Sequence, residues 1–237
     1  MEIRLNDALD LTALQAGFQA NGRLQVHDVL AAETAERIAQ CLEKETPWQV
    51  AYNDDGDTVV RPLGDISRMT ERRQRELLQK IYTNARENFQ FIYNIYPMTD
   101  AYMAERDPDL LLHRVFEFIN SDAVLGLVRT ITGIDGIIKG DAQATRYVHQ
   151  QFLTRHNDQV GGEHRRLAYV FNFTRSWQPD WGGYLQFYDQ SGNIADGFLP
   201  TFNTLNIFRV PADHSVSMVT PFAGAVRYAI TGWFMDA

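Results

Sequence analysis

Three side chains carry ligand chemistry at a spacing worth testing: His156, Asp158 and His214. His156-Asn157-Asp158 closes the run RYVHQQFLTRH, which reads as a strand. In an extended chain residues i and i+2 project to one face, so an imidazole and a carboxylate converge there. Alone, such a pair is common and usually structural. His214 lies 56 residues after Asp158, at the start of another alternating run, HSVSMV. Two imidazoles and one carboxylate form the facial triad of non-haem Fe(II), with positions left for a bidentate ligand and O2. Zinc accepts the same donors, so the ligand set by itself leaves the metal open.

Arg227 follows His214 by 13 residues, in VRYAITGWF, an apolar run with few other charges. A guanidinium buried in such a strand needs an anionic partner, because its desolvation is otherwise very costly. Its planar fork suits a carboxylate. Two partners stand open: an internal acidic residue, or the far carboxylate of a dicarboxylate whose 2-oxo acid end chelates the metal.

These residues belong to a longer series: YVHQQFLTRHND, RRLAYVFNF, the Trp177 segment, DWGGYLQFYD, FLPTFNTLNIF, DHSV and RYAITGWF. In content, order and spacing, residues 147–234 resemble the catalytic core of the prolyl 4-hydroxylase-like branch of the Fe(II)/2-oxoglutarate-dependent oxygenases. The resemblance covers a little over a third of the chain. It implies an α+β protein with a mainly β core, a double-stranded β-helix (jelly roll), with an N-terminal helical region packed against it. It also implies His156, Asp158 and His214 as iron ligands and Arg227 as the 2-oxoglutarate anchor. Tyr147, nine residues before His156, matches a family tyrosine lining the cofactor pocket. Thr231 and Trp233 fall where the family has pocket residues, Thr231 towards the cofactor and Trp233 towards the substrate. Arg165 falls where related prolyl hydroxylases carry a substrate-contacting arginine, with Arg166 as the alternative.

Asn172 stands where many relatives have a tyrosine, in a strand that helps hold the far carboxylate. A shorter amide there would still donate a hydrogen bond, directly or through water. Collagen-type relatives use lysine where Arg227 stands, which sets this chain nearer the hypoxia-type and translation-associated enzymes. Iron halogenases lack the carboxylate, so Asp158 favours hydroxylation. The expected activity is hydroxylation of a C–H bond, in a prolyl residue of a protein or peptide. Fe(II), 2-oxoglutarate and O2 are the expected cofactor and co-substrates, with ascorbate a candidate reductant. A free amino acid or other small molecule is the alternative substrate. A non-catalytic jelly-roll binding or sensor module is an alternative of another class. So is a zinc hydrolase on a cupin-like barrel, disfavoured because no separate general base stands out.

The bulk composition bounds these readings. The chain has 237 residues, 45% hydrophobic and 22% charged, ordinary for a soluble globular protein of one large domain. A net charge of −8 argues against a general nucleic-acid binder, which needs basic surface to displace counterions. One cysteine, Cys41, excludes an internal disulfide and agrees with a reducing compartment. The opening MEIRLNDALD lacks the apolar core of a secretory signal, and no stretch approaches the roughly 18–20 apolar residues of a membrane span. A cytoplasmic enzyme with no membrane or nucleic-acid partner is expected; no pattern speaks to oligomeric state.

The elements that must position the site divide near residue 135. Residues 1–135 read as a helical and mixed supporting region, and 136–237 as the β catalytic core. Helices are expected over 8–20, stopped by Asn21-Gly22, and over 31–45, with Thr34, Ile38 and Leu42 in register. Strands are expected over 23–29 and 48–53. A long charged helical pattern covers 70–96 and ends in an aromatic stripe that reads as core. Helices follow over 108–119 and 122–132, the second stopped by Gly133. From 136 onward come short β-rich runs between turn residues. The acidic turn at 53–57 lacks the distant glutamate of an EF-hand loop and reads as solvated. His149, seven residues before His156, faces the other side of a regular strand and reads as structural. His164, in the polar GGEHRR loop, reads as exposed, with a substrate-loop role as the alternative; His27 and His113 have no partners by spacing. Gly182-Gly183 lacks a following helix and is expected to allow close strand approach.

Overall fold

Helix boundaries follow local chemistry. In the computed structural model, which describes residues 2–159 and 164–236, α1 (Leu11–Asn21) starts at Asp10, whose side chain accepts from the Ala13 N–H. It stops at Gly22 (φ 66°), a left-handed cap that glycine adopts without strain. After β1 (Arg23–His27), α2 (Ala32–Lys44) buries Thr34, Ile38 and Leu42 on one face. β2 (Gln49–Asp54) and β3 (Asp57–Pro62) form a hairpin, followed by α3 (Leu63–Ser67) and α4 (Glu71–Asn84), the latter capped by the Thr70 hydroxyl. β4 (Phe91–Tyr96), α5 (Met98–Met103), α6 (Leu111–Ile119) and α7 (Asp122–Thr132) complete the first half. Ser121 caps α7 and Gly133 (φ 69°) ends it.

The second half is built of strands: β5 (Lys139–Gly140), β6 (Gln143–Tyr147), β7 (Phe152–His156), β8 (Arg165–Asn172), β9 (Leu185–Tyr188), β10 (Ile194–Phe198), β11 (Thr204–Arg209), β12 (His214–Val216) and β13 (Arg227–Met235). They alternate between two antiparallel halves. One runs β6-β13-β8-β11, the other β7-β12-β9-β10. β4 pairs with both β6 and β7 and joins the halves along one side, making a nearly closed jelly-roll barrel. β1 extends the first half by pairing with β11.

Residues 70–96 depart from the expected long helix. The helix ends at Asn84, and the aromatic stripe is β4. Phe-Ile-Tyr-Asn-Ile-Tyr is rich in residues that suit a pleated surface, and five of its six positions are buried. The strands β3 and β10 also went unforeseen; both are mostly exposed edges, without the alternation a half-buried strand shows. RYVHQQFLTRH is broken into β6 and β7 by a turn with Gln150 at φ 66°.

The main core lies between α1, α2, α5, α6 and α7 and the outer face of β8, β11 and β13, with Phe18, Leu42, Val128, Tyr169, Ile207 and Phe234 among its members. α4 covers the outer face of β2, β4 and β7 through Ile81, Val50, Ile92 and Phe152. Among the described residues no helix lines the barrel interior. Gly182-Gly183 lets the loop after Trp181 close on the chain following β12. A Cβ at Gly182 would lie 2.0 Å from the Met218 carbonyl oxygen, and its φ of 70° and ψ of −145° form a region essentially reserved for glycine. Gly182→Ala is expected to cost at least about 2 kcal/mol and lower Tm by roughly 4–8 °C, measured by thermal unfolding.

Candidate active site

β7 and β12 pair so that His156 lies directly opposite His214, with ring centroids 4.1 Å apart. Each imidazole is fixed by a backbone carbonyl two residues earlier. His156 Nδ1 bonds the Thr154 carbonyl at 2.9 Å and His214 Nδ1 the Ala212 carbonyl at 2.8 Å. A carbonyl only accepts, so each Nδ1 carries the proton and each Nε2 presents a lone pair. Asp158 completes the cluster: Oδ1 is 3.3 Å from His156 Nε2 and Oδ2 is 3.4 Å from His214 Nε2. It arrives by a left-handed turn (φ 62°) beyond the end of β7, a conformation aspartate tolerates better than most residues, and not by strand alternation.

The ligand atoms of the three all lie within 4.8 Å of one another. Two imidazole lone pairs and a carboxylate aimed at one point repel unless a cation or proton lies between them. The donor set thus suits a divalent metal.

Burial works on both charged forms. It pushes the Asp158 pKa up, but in the metal-free cluster the hydrogen bond and charge of a protonated His156 and the charge of a protonated His214 outweigh it, and the carboxyl sits below its ordinary value. Trp233 adds to that lowering, although its Nε1 makes no hydrogen bond of good geometry. Burial and the neighbouring His156 push His214 down to about 4, against the pull of Asp158. The unfolded chain binds a proton at His214 below pH 6.5, whereas the folded chain binds it only near 4. Stability of the metal-free protein is therefore full above that window and falls as pH drops through it, by on the order of 3 kcal/mol. Urea midpoints between pH 7 and 4.5 should fall accordingly; a flat profile would show that His214 is not held neutral.

A cavity of about 580 Å³ joins this cluster to Arg227, with Tyr147, Arg165, Thr231 and Trp233 also in its walls. Arg227 opens β13 and is 1% exposed. It stacks on the ring of its cross-strand neighbour Tyr147, 4.9 Å away. Burial lowers its pKa, and among the described residues only Tyr147 opposes that effect; no carboxylate does. Among the described residues its Nε has no hydrogen-bond partner. Of the two partners open from sequence, the internal acid is thus absent among the described residues, and the guanidinium suits an incoming carboxylate. Burial likewise raises the Tyr147 hydroxyl pKa far above its ordinary value.

Thr231 accepts from Gln143 Nε2 at 3.4 Å. The Arg165 guanidinium lies 3.6 Å above the Trp233 ring. Arg166 instead pairs with Asp236 at the surface, so Arg165 is the arginine in the cavity wall. Asn172 does not line the cavity. It faces Thr204 across the β8–β11 ladder and donates to its hydroxyl at 3.1 Å, which uses the amide within the barrel.

Part of the wall comes from the half of the chain where sequence motifs were weakest. Phe91, Tyr93 and Ile95 of β4, continuing the alternation from Phe89 just before it, all face the cavity. Tyr93 stacks on Tyr147 at 5.2 Å, and burial pushes its hydroxyl up to about 12. The signal was the period-two pattern of FIYNIY, which the charged helix before it obscured.

The remaining candidates are structural. His149 bonds the Ala223 carbonyl at 2.7 Å and His113 the Arg106 carbonyl at 2.7 Å; His27 is exposed on β1. His164 lies 3.3 Å from Asp236 Oδ1 and outside the cavity, and residues 161–163 of its loop lie outside the described residues. In the acidic turn Asp54 and Asp55 both pair with Lys80.

The sequence pattern of the 2OG-Fe(II) oxygenase superfamily matches residues 142–235. Prolyl 3-hydroxylase OGFOD1 of Mus musculus is 29% identical over 155 residues, 62% of this chain and 27% of that protein, so the chain spans just over a quarter of its relative. The prolyl hydroxylase from Trichoplax adhaerens, solved with a peptide fragment of the hypoxia inducible factor oxygen degradation domain, superposes with a TM-score of 0.63 at 16% identity. That match covers 95% of this chain and 89% of the other. A Pseudomonas putida prolyl-4-hydroxylase gives 0.53 at 18% identity, covering 96% and 99%. At such identities the structures establish the fold alone. Residues 142–235 thus match the sequence pattern of the 2OG-Fe(II) oxygenase superfamily, and the histidine–aspartate cluster lies within that stretch, on a fold shared with solved prolyl hydroxylases.

Proposed function

We propose that this chain is an Fe(II)- and 2-oxoglutarate-dependent dioxygenase that hydroxylates a prolyl residue of a protein or peptide. One observation carries the reading: a single cavity holds a two-histidine, one-carboxylate cluster and a fully buried arginine that no acid pairs among the described residues. His156, Asp158 and His214 would hold the metal. Arg227, with Tyr147 and Thr231 beside it, would receive the far carboxylate of the co-substrate. When bound, metal and 2-oxoglutarate supply the oxidising chemistry: O2 is consumed, 2-oxoglutarate yields succinate and CO2, and one oxygen atom enters a substrate C–H bond.

The chain's own contribution is placement. The β7–β12 register sets the two imidazoles face to face, and the Thr154 and Ala212 carbonyls keep their Nε2 atoms free to ligate. Arg227 acts from a buried position, where its charge is poorly screened and orients an anion strongly. Phe208 and Phe187 beside His214 and Phe89 beside His156 keep bulk water from the ligands.

A peptide suits the open end better than a small molecule sealed inside. Among the described residues no helix contributes to the cavity lining, and exposed Thr58, Phe89, Asn157 and Gln159 surround it. Arg165, stacked on Trp233, is the candidate donor to a peptide carbonyl. The relatives named prolyl hydroxylases support proline as the residue oxidised. No helix among the described residues is long and apolar enough to cross a membrane, and the one cysteine is a buried free thiol; the cytoplasm fits both.

The test supplies Fe(II), 2-oxoglutarate and a digest of cellular protein. Succinate should form in step with single added oxygen atoms on proline, and separation of 3- from 4-hydroxyproline names the carbon. Succinate formation driven only by free amino acids would overturn the peptide assignment.

A further inference from the structure

β4 supplies a wall that the metal and co-substrate sites leave unused. Gln90 extends its ladder onto β7, donating to Thr154 Oγ1 at 2.8 Å and accepting from the Thr154 N–H at 2.9 Å. Alternate residues then run inward from the surface as a file of rings. Phe89 is 45% exposed and lies 5.4 Å from the His156 ring. Phe91 is 5.7 Å from Phe89 and 5.4 Å from Tyr93. Ala51 and Leu153 flank them. The histidine, acidic and basic members of the described lining (His156, Asp158, Arg165, His214 and Arg227) come from β7 and its following turn, β8, β12 and β13.

A phenyl ring left half in water beside a ligand imidazole is more than the core requires. Flat aromatic faces give dispersion contact to a saturated ring at no cost in hydrogen bonds. A carboxylate brought against them would lose its hydration and meet no donor. An ammonium would gain some attraction from the ring faces, but Arg165 and Arg227 across the cavity oppose it.

Resting on the function proposed above, we infer that Phe89, Phe91 and Tyr93 form the subsite for the side chain that is oxidised. This wall accepts an uncharged, apolar ring such as a prolyl pyrrolidine and rejects side chains that carry charge.

The probes are N-acetyl-L-proline methylamide and its aspartate and lysine counterparts, titrated into the Zn(II)- and 2-oxoglutarate-loaded protein by ligand-observed NMR. The proline probe should receive saturation chiefly on its ring protons, and the charged probes should bind about a hundredfold more weakly or not detectably. Phe89→Ala should weaken the proline probe by about tenfold. Phe89 lies at the surface, so its truncation spares the core; Phe91→Leu, which keeps an apolar filler at the buried position, should also weaken binding. Circular dichroism checks both folds.

Equal binding of a charged probe overturns the assignment, as does wild-type affinity for proline in both variants. Calorimetry on the wild type separates the two levels. If Zn(II) and 2-oxoglutarate bind and the probe results fail, the subsite alone is wrong. If neither binds, the proposed function fails and the subsite with it.

Discussion

Arg227→Met is expected to leave the protein without co-substrate at least as stable as the wild type, while weakening 2-oxoglutarate binding about a hundredfold or more. The two halves of that outcome come from one fact: the guanidinium is 1% exposed, and no carboxylate opposes its desolvation among the described residues. A buried charge in that position costs stability, and an apolar side chain of similar length relieves the cost. With the dicarboxylate bound, the same guanidinium becomes half of a desolvated ion pair, whose truncation typically costs 2–5 kcal/mol. Calorimetry of 2-oxoglutarate binding and urea unfolding of the unliganded protein measure the two halves. A stability loss of about 3–5 kcal/mol would mean that an internal acid pairs with Arg227 after all. Such a result would remove the main support for a dicarboxylate co-substrate.

The second large effect concerns the metal. His214→Ala should lower metal affinity by more than about a hundredfold, since partners that merely orient a ligand are worth 10–100-fold. Turnover should fall with it. The wild type should gain about 2.7 kcal/mol of stability at metal concentrations a hundredfold above Kd, or roughly 5–10 °C in Tm. The variant should show no such gain at the same concentration. Thermal unfolding with and without Fe(II) or Mn(II) under anaerobic conditions reads this directly. Because His214 is held neutral by burial, its loss removes no counter-charge from Asp158, so the metal-free variant should still fold. A metal-dependent Tm shift that survives in His214→Ala would sink the ligand assignment.

The site was legible in the sequence further than the fold that carries it. His156, Asp158 and His214 could be grouped because ligand chemistry restricts the residue types sharply, and Arg227 because an isolated charge in an apolar strand demands a partner. Strand alternation accounts for only part of the Asp158 position. Strand alternation ends at His156, and the carboxylate turns inward through a left-handed residue that no periodicity announces. Asn172 shows the limit of motif position. Its place in the motif is that of a cofactor contact, but Thr204 across the ladder takes its hydrogen bond. The β4 wall was missed because charged, helix-favouring residues run up to Asn84 and the pattern changes period only a few residues later. β3 and β10 were missed because exposed edge strands have no buried face to mark them.

The pairing of β1 with β11 bears on how this chain reaches its native state. Gln25 meets Asn206 across 181 residues, so the earlier strand waits for one synthesised long after it. Contacts of such sequence separation form slowly, because the loop they close must be ordered before they contribute anything. Until then β11 presents an open edge, and β6 and β7 lack the β4 strand that joins them only once the first half is in place. Open, hydrophobic edges recruit other chains. The first 135 residues thus act as an edge guard for the catalytic strands, and a fragment cut at residue 136 should be lost to aggregation before its chemistry is ever tested.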